Sequence, residues 1–590
     1  MSKVLPKIVL LCLIPAVGTA GEPRDWSYKY FKEDVPLTLD AYRIAILDPT
    51  PESAVGPAPS MQEVPGQEGS QPVGSIGAGW ELLDLSGQPS GGDPVAVEAL
   101  IEAFATDPMD DKYAAPIFVE DGITMYPASE ILIGFEEEVA MAAIEQILAD
   151  AGLGAIITHD WLKPNTFIVD GNTRSGIVIM DTANTLALRP EVVFATAKWG
   201  LTSESFANVL VEYPPELVSS IPSESSRILA SFSRGAPAPL CESFDGGTPN
   251  DPRLGESWGL DAFNDIDIDA GGAWALCTGD PATPVAVIGD GVQRDHPDMP
   301  NVLEGADFTD ECLFPPCIGE PQTSCDNHET SVASIIHATI NNGLQSAGVA
   351  PDTSILPVRS AKQIVLPNRC FGQLFQDSLA NGVNYAVEQG ARVISLSWQV
   401  GNIGFPSVEI AFEEAYDAGV VVINSAGNNN QPEVGQPGRL FEIQSVTGID
   451  SSGELFYVSE TFASNYGAHA AFTAPARFVF ALDRTGADGY ADSNDPLGAD
   501  ATLVTGTSFA APHIAAIATL IIATNEALDA EGVHYILKST VMDLGPSGRD
   551  DFFGAGLGKA EAAVNLAPSV ITIRDFDRGD LSGWSGFVGN

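Results

Sequence analysis

Basic residues are scarce in this chain: 27 Lys and Arg stand against 79 Asp and Glu in 590 residues, a formal net charge of −52. So large a deficit argues against a nucleic-acid partner and against adhesion to an anionic membrane, both of which need clustered cations. It suits solubility outside the cell. Beyond the first 20 residues no run reads as long and apolar enough to span a bilayer, so no membrane partner is expected. The Gly-x-Ser-x-Gly elbow of esterase-type hydrolases is also missing. Cysteine is sparse, at seven residues, and Cys12 falls within the apolar start.

What is present begins with Lys3 and Lys7, then IVLLCLIPAV, then Gly18-Thr19-Ala20. That order is a secretory signal over residues 1–20, cleaved after Ala20, and the expected location is extracellular or periplasmic. Six cysteines then remain: Cys241, Cys277, Cys312, Cys317, Cys325 and Cys370. An even number in an exported chain points to disulfides, with fifteen pairings open. Zinc held by the Cys312, Cys317 and Cys325 cluster is the alternative. The length exceeds one hydrophobic core, so at least two globular units are expected.

Residues 27–48 alternate apolar and polar as strands do, and a Pro, Gly and Ser-rich stretch over about 49–97 reads as a flexible insertion. Helix and strand patterns resume and run to Trp199, giving a small α+β domain. Residues 200–250 are again Ser, Pro and Gly rich, and a cleavable connection is expected there, with a new N-terminus between about 233 and 248. From about 251 to 566, near-continuous apolar strands alternate with helices, the pattern of a parallel β-sheet covered by helices on both faces. The tail, 567–590, carries no assignable work.

Four stretches in this last region carry chemistry. GTSFAAPHIAAIATL places Ser508 just after a glycine turn, at the start of an Ala/Ile-rich helix, where exposed N–H groups favour a developing anion. NHETSVASIIHA (327–338) offers His328 as a base, and VVVINSAGNNN (420–430) is a buried strand ending in Ala-Gly-Asn. VAVIGDGVQRDHPDM (285–299) ends a strand beside an acid, Asp290. Together, in acid, base, asparagine, serine order, these stretches resemble the subtilisin-like serine proteases, the subtilase family. PNDPRLGESWGL (249–260), NNGLQSAGVAP (341–351) and ARVISLSW (391–398) agree with it, and EVVFATAKW (191–199) resembles the end of a subtilase propeptide.

The resemblance implies a subtilisin-like α/β fold over 241–566, preceded by a propeptide region over 21–240. It implies a secreted serine endopeptidase acting on protein or peptide substrates, with its own propeptide as a partner. Ser508 is the implied nucleophile, His328 the general base and Asn428 the oxyanion donor. Asp307, Asp310 and Asp326 are candidate ligands for a structural calcium, and no cofactor is required for the chemistry. Three positions depart from the family pattern. Gly289 occupies the aspartate position, and Asp290, one residue later, is expected to orient His328 imperfectly, because successive strand residues face opposite ways. Glu329 and Ser334 replace two glycines of the histidine helix. Glu329 is set aside as a substitute acid, since neighbours on a helix point about 100° apart. A pseudoprotease that keeps the fold as a binding or scaffold protein is therefore the rival expectation.

Overall fold

The computed structural model describes residues 24–47, 71–203 and 241–570, apart from short stretches within those ranges. The expected secretory signal, most of the 200–250 connection, Asp310, Cys312 and the C-terminal tail beyond residue 570 lie outside the described residues. The chain forms two compact units. The first comprises the chain up to Val119, Met125–Ile157 and Ile168–Ala197. Its strands Leu39–Leu47, Trp80–Asp84 and Tyr113–Glu120 pair antiparallel, with Leu39–Leu47 in the middle. Trp80 is buried against Tyr113 and Tyr126, with ring centroids 5.5 and 4.7 Å away.

Part of the expected flexible insertion is ordered here: Gln71–Gly77 and Trp80–Asp84 form a strand pair, and a helix begins at Pro94. Trp80, Leu82 and Leu83 are buried, and Leu83 lies opposite Ile44 on the neighbouring strand. Three apolar side chains with a ready partner strand outweighed a turn-rich composition.

The second unit holds a seven-stranded, wholly parallel sheet. Its parts, in chain order, are β1 (Val285–Gly289), β2 (Ala306–Asp307), helix α1 (His328–His337) and β3 (Ile355–Arg359). The hairpin β4 (Ala361–Leu366) and β5 (Arg369–Phe375) precedes α2 (Gln376–Glu388). Next come β6 (Val393–Leu396), α3 (Pro406–Asp417), β7 (Val421–Ser425), β8 (Ile443–Ile449) and β9 (Ala470–Pro475). Helix α4 (Thr507–Thr524) follows. The spatial order is β2-β3-β1-β6-β7-β8-β9. Strands β1, β3, β6, β7 and β8 are buried along their whole length, which explains why β1 is continuously apolar and why β3, β6 and β7 are mostly so rather than alternating. Helix α1 packs on α4 and β1, α4 on β6, β7 and β8, and α2 on α3.

Helix α4 has a mean hydropathy of 1.5 over 18 residues and is long and apolar enough to cross a membrane, which the sequence reading passed over. Of that 18-residue window, 94% is buried inside the unit, so it serves as a core helix. Pro512 lies within it. A proline has no N–H, so the carbonyl four residues back, that of Ser508, loses its helical partner. The Ser397 hydroxyl donates to that carbonyl at 2.7 Å.

Beside the sheet, β5 pairs antiparallel with β4 and, through Gly372–Phe375, with Gly200–Ser203 of the same unit. Disulfides join Cys241 to Cys277 and Cys325 to Cys370. Cys317 is disulfide-bonded as well. The zinc alternative loses Cys317 and Cys325 to these bonds.

Candidate active site

The carboxyl ends of β1, β6 and β7, the start of α1 and the start of α4 meet around an open cleft of about 750 Å³. Gly289, His328, Glu329, Asn428 and Ser508 line it. Gln363, Gly372 and Leu374 of the hairpin, with Ser397, Trp398 and Gln399, form further walls.

Gly506, with φ of 152°, turns the chain into α4, and no side chain caps that helix. Ser508 therefore sits in the first turn, where N–H groups lack helical acceptors. Its hydroxyl donates to the Ser397 carbonyl at 3.0 Å, answering the bond that the Ser397 hydroxyl makes to the Ser508 carbonyl. Thr507, one residue earlier, organises the asparagine. The Asn428 side-chain oxygen accepts from the Thr507 N–H at 2.8 Å and from its hydroxyl at 2.9 Å, while the Gly427 N–H donates to the same hydroxyl oxygen at 3.0 Å. With its oxygen so held, the amide turns its NH2 end away from Thr507. Gly427 takes φ of 107°, a left-handed turn that lets the chain leave β7 and present Asn428.

His328 is the first residue of α1, and its ring is tilted against Phe509 with centroids 5.4 Å apart. Its Nδ1 lies 2.9 Å from Glu329 Oε1. The other carboxylate oxygen, Oε2, accepts from the Asp290 N–H at 3.0 Å. Both His328 and Glu329 are buried.

The orienting role expected of Asp290 does not have its geometry. Its carboxylate accepts from the backbone N–H groups of His328 at 3.3 Å and Glu329 at 3.0 Å, capping α1 from outside the helix. The carboxylate on the imidazole is that of Glu329, the residue that helical spacing set aside. That argument concerned the directions in which side chains leave the axis. At the first turn no earlier turn stands in the way, and the three-carbon arm of a glutamate can fold back across the helix end. The clue in the sequence was the conjunction of a missing side chain at 289 with an added one at 329.

Burial pushes the Asp290 carboxyl well above the ordinary carboxylate range, and the neighbouring Glu329 charge pushes it further. Glu329 is also raised by burial, opposed by the hydrogen bonds it receives from Asp290. Burial lowers the His328 imidazole below its ordinary value, which keeps it neutral and able to accept a proton.

Ser334, the other substituted glycine, makes productive contacts. Its hydroxyl donates to the Ser331 carbonyl at 2.8 Å and accepts from the Leu482 N–H at 2.9 Å. Of the candidate calcium ligands, Asp307 and Asp326 each lie 2.9 Å from the guanidinium of Arg359, which is fully buried. A cation is thus already supplied by the chain, and the pair does not fit a calcium ion. Asp265, Asp267 and Asp269 converge in the same way on the Lys559 ammonium, at 3.6, 3.6 and 3.2 Å. His513, read as a packing residue, is buried and its Nδ1 meets the Phe509 carbonyl at 2.7 Å.

The family model described as "Subtilase family" matches residues 280–556. Thermitase of Thermoactinomyces vulgaris is 30% identical over 324 residues, a match spanning 55% of this chain and 99% of thermitase. The chain belongs to the subtilase family. A thermophilic serine proteinase of Bacillus sp. (strain AK1) is 32% identical over 250 residues, which are 42% of this chain and 54% of that one. Among solved structures, fervidolysin of Fervidobacterium pennivorans superposes with a TM-score of 0.54 at 20% identity, covering 75% of this chain and 61% of its own. That likeness supports the subtilisin-like fold. Within the subtilase match fall the strand end at Gly289, the histidine helix, the asparagine turn and the Ser508 helix start, so the cleft described above is built from family parts.

Proposed function

We propose that this chain is a secreted serine endopeptidase. The observation that carries the reading is the convergence, in one cleft, of a serine on a helix's first turn, a histidine with a carboxylate on Nδ1, and an asparagine amide with its oxygen held back. In the proposed reaction, the Ser508 hydroxyl rotates away from the Ser397 carbonyl and attacks a peptide carbonyl. His328 takes the serine proton at Nε2 and returns it to the departing amine. The Asn428 NH2 and the Ser508 N–H hold the oxyanion, as preorganised donors in a cleft partly shielded from water. An extended peptide is bound between β5 and the segment Ser397–Gln399. Support for this comes from Gly200–Ser203, which occupies the β5 edge opposite β4 as an added strand and has to leave that edge for a substrate to pair there.

The domain proposal follows: residues 21–240 act as a propeptide region and 241–566 as the peptidase, with helices on both faces of the parallel sheet. The rival reading, a non-catalytic binding protein, draws on the Ser508 hydroxyl being bonded to Ser397 rather than to the ring. Labelling with a fluorophosphonate probe, run beside hydrolysis of a protein substrate, separates the two. The peptidase reading expects label and turnover in the wild type and neither in Ser508→Ala. Turnover that survives Ser508→Ala, or a wild type that neither labels nor hydrolyses, overturns it.

A further inference from the structure

In the family pattern the orienting carboxylate rises from the strand-end position that is Gly289 here. This chain has no side chain at 289 and a buried carboxylate beside the base, reached from the base's own helix. The two features are sterically one. A Cβ placed on Gly289 would lie 2.1 Å from both Cδ and Oε1 of Glu329. The Glu329 carboxylate therefore fills the space in which a side chain at 289 would start, and the two arrangements exclude each other.

We propose that Glu329 is the positioning acid of the catalytic pair, delivered through α1 instead of β1, and that Gly289 is the vacancy that admits it. The proposal rests on the peptidase reading. His328 donates its Nδ1–H to Glu329 Oε1, which fixes the tautomer and leaves the Nε2 lone pair to receive the Ser508 proton. The imidazolium formed is stabilised by the adjacent carboxylate, and the proton stays on the ring. Asp290 supports this from behind. Its N–H holds Oε2, and its carboxyl caps the two residues that carry the base and the acid.

Three variants test the assignment by steady-state kinetics. Glu329→Gln keeps the shape and loses the charge, and its kcat is expected to fall about 10³–10⁴-fold with KM little changed, the loss typical of removing a triad acid. Asp290→Asn keeps an acceptor for the helix amides and is expected to lose less. The double variant Gly289→Asp with Glu329→Gly returns the carboxylate to the strand and is expected to regain at least tenfold over Glu329→Gln. A Glu329→Gln enzyme within tenfold of wild type, or one more active than Asp290→Asn, overturns the proposal. A readout that needs no turnover is the low-field proton NMR signal of His328 Nδ1–H, expected to move upfield in Glu329→Gln and to persist in Asp290→Asn. A signal unmoved by Glu329→Gln also overturns it. An inactive wild type that shows the signal and its shift rejects the peptidase reading while leaving the His328–Glu329 pairing intact.

Discussion

Gly289 and Glu329 show how one absent side chain can decide where a charge sits. At this scale two outcomes are expected. Gly289→Ala puts a methyl 2.1 Å from the Glu329 carboxyl carbon, so the carboxylate must leave the imidazole or the backbone must shift. The expected result is a fall of at least about 100-fold in kcat for a single added carbon, measured by peptide hydrolysis. The second outcome concerns pH. The base must be neutral to act, and burial lowers the His328 pKa below its ordinary 6.5. The imidazole therefore stays neutral into more acidic solution, and the acidic limb of kcat/KM is expected to have its midpoint below pH 6.5. A midpoint above 7 contradicts the burial seen here. That Ser508, His328 and Asn428 would line one cleft was legible in the sequence, because each lies in a local motif. Glu329 was not, because its position depends on a residue 40 places away that contributes only room.

Elements were legible where a single environment governs a whole segment. Strands β1, β6 and β7 read as near-continuous apolar runs because they are buried along their whole length. The strand pair Gln71–Gly77 and Trp80–Asp84 did not read as structure, since its signal lies in Trp80, Leu82 and Leu83 amid turn-forming residues. Ser334, a departure from the family's glycine, is accommodated by contacts that the sequence does not display. A glycine-to-serine change in a packed helix looks like a clash, yet the hydroxyl finds both a donor and an acceptor and ties α1 to Leu482. Ser334→Ala would leave the buried Leu482 N–H without that acceptor. A loss of about 1–3 kcal/mol in unfolding free energy is expected, read by denaturant titration. Ser334→Gly should cost at least as much, because it also removes helix propensity.

For the whole molecule, charge outweighs any single contact. A formal net charge of −52 means that compaction brings like charges together throughout the chain, and many acids have no basic partner to offset them. Raising NaCl from about 10 mM to about 0.5 M shortens the screening length from roughly 30 Å to below 8 Å. The melting temperature is expected to rise over that range, and a fall would show that ion pairs such as those of Arg359 dominate the balance instead. The acid-rich composition was plain in the sequence. What it concealed was that buried acids had already been given cations by Arg359 and Lys559, because these pairings join residues distant in the chain.

The Cys241–Cys277 disulfide sets a boundary on how the chain can come apart. A backbone cut anywhere between those two cysteines leaves both pieces covalently joined, so everything upstream would remain on a leash until reduced. Physical release of an N-terminal fragment without reductant therefore requires a cut outside that loop, before Cys241 or after Cys277. Of the window between about 233 and 248 in which a new N-terminus was expected, only the part up to 241 permits the fragment to depart.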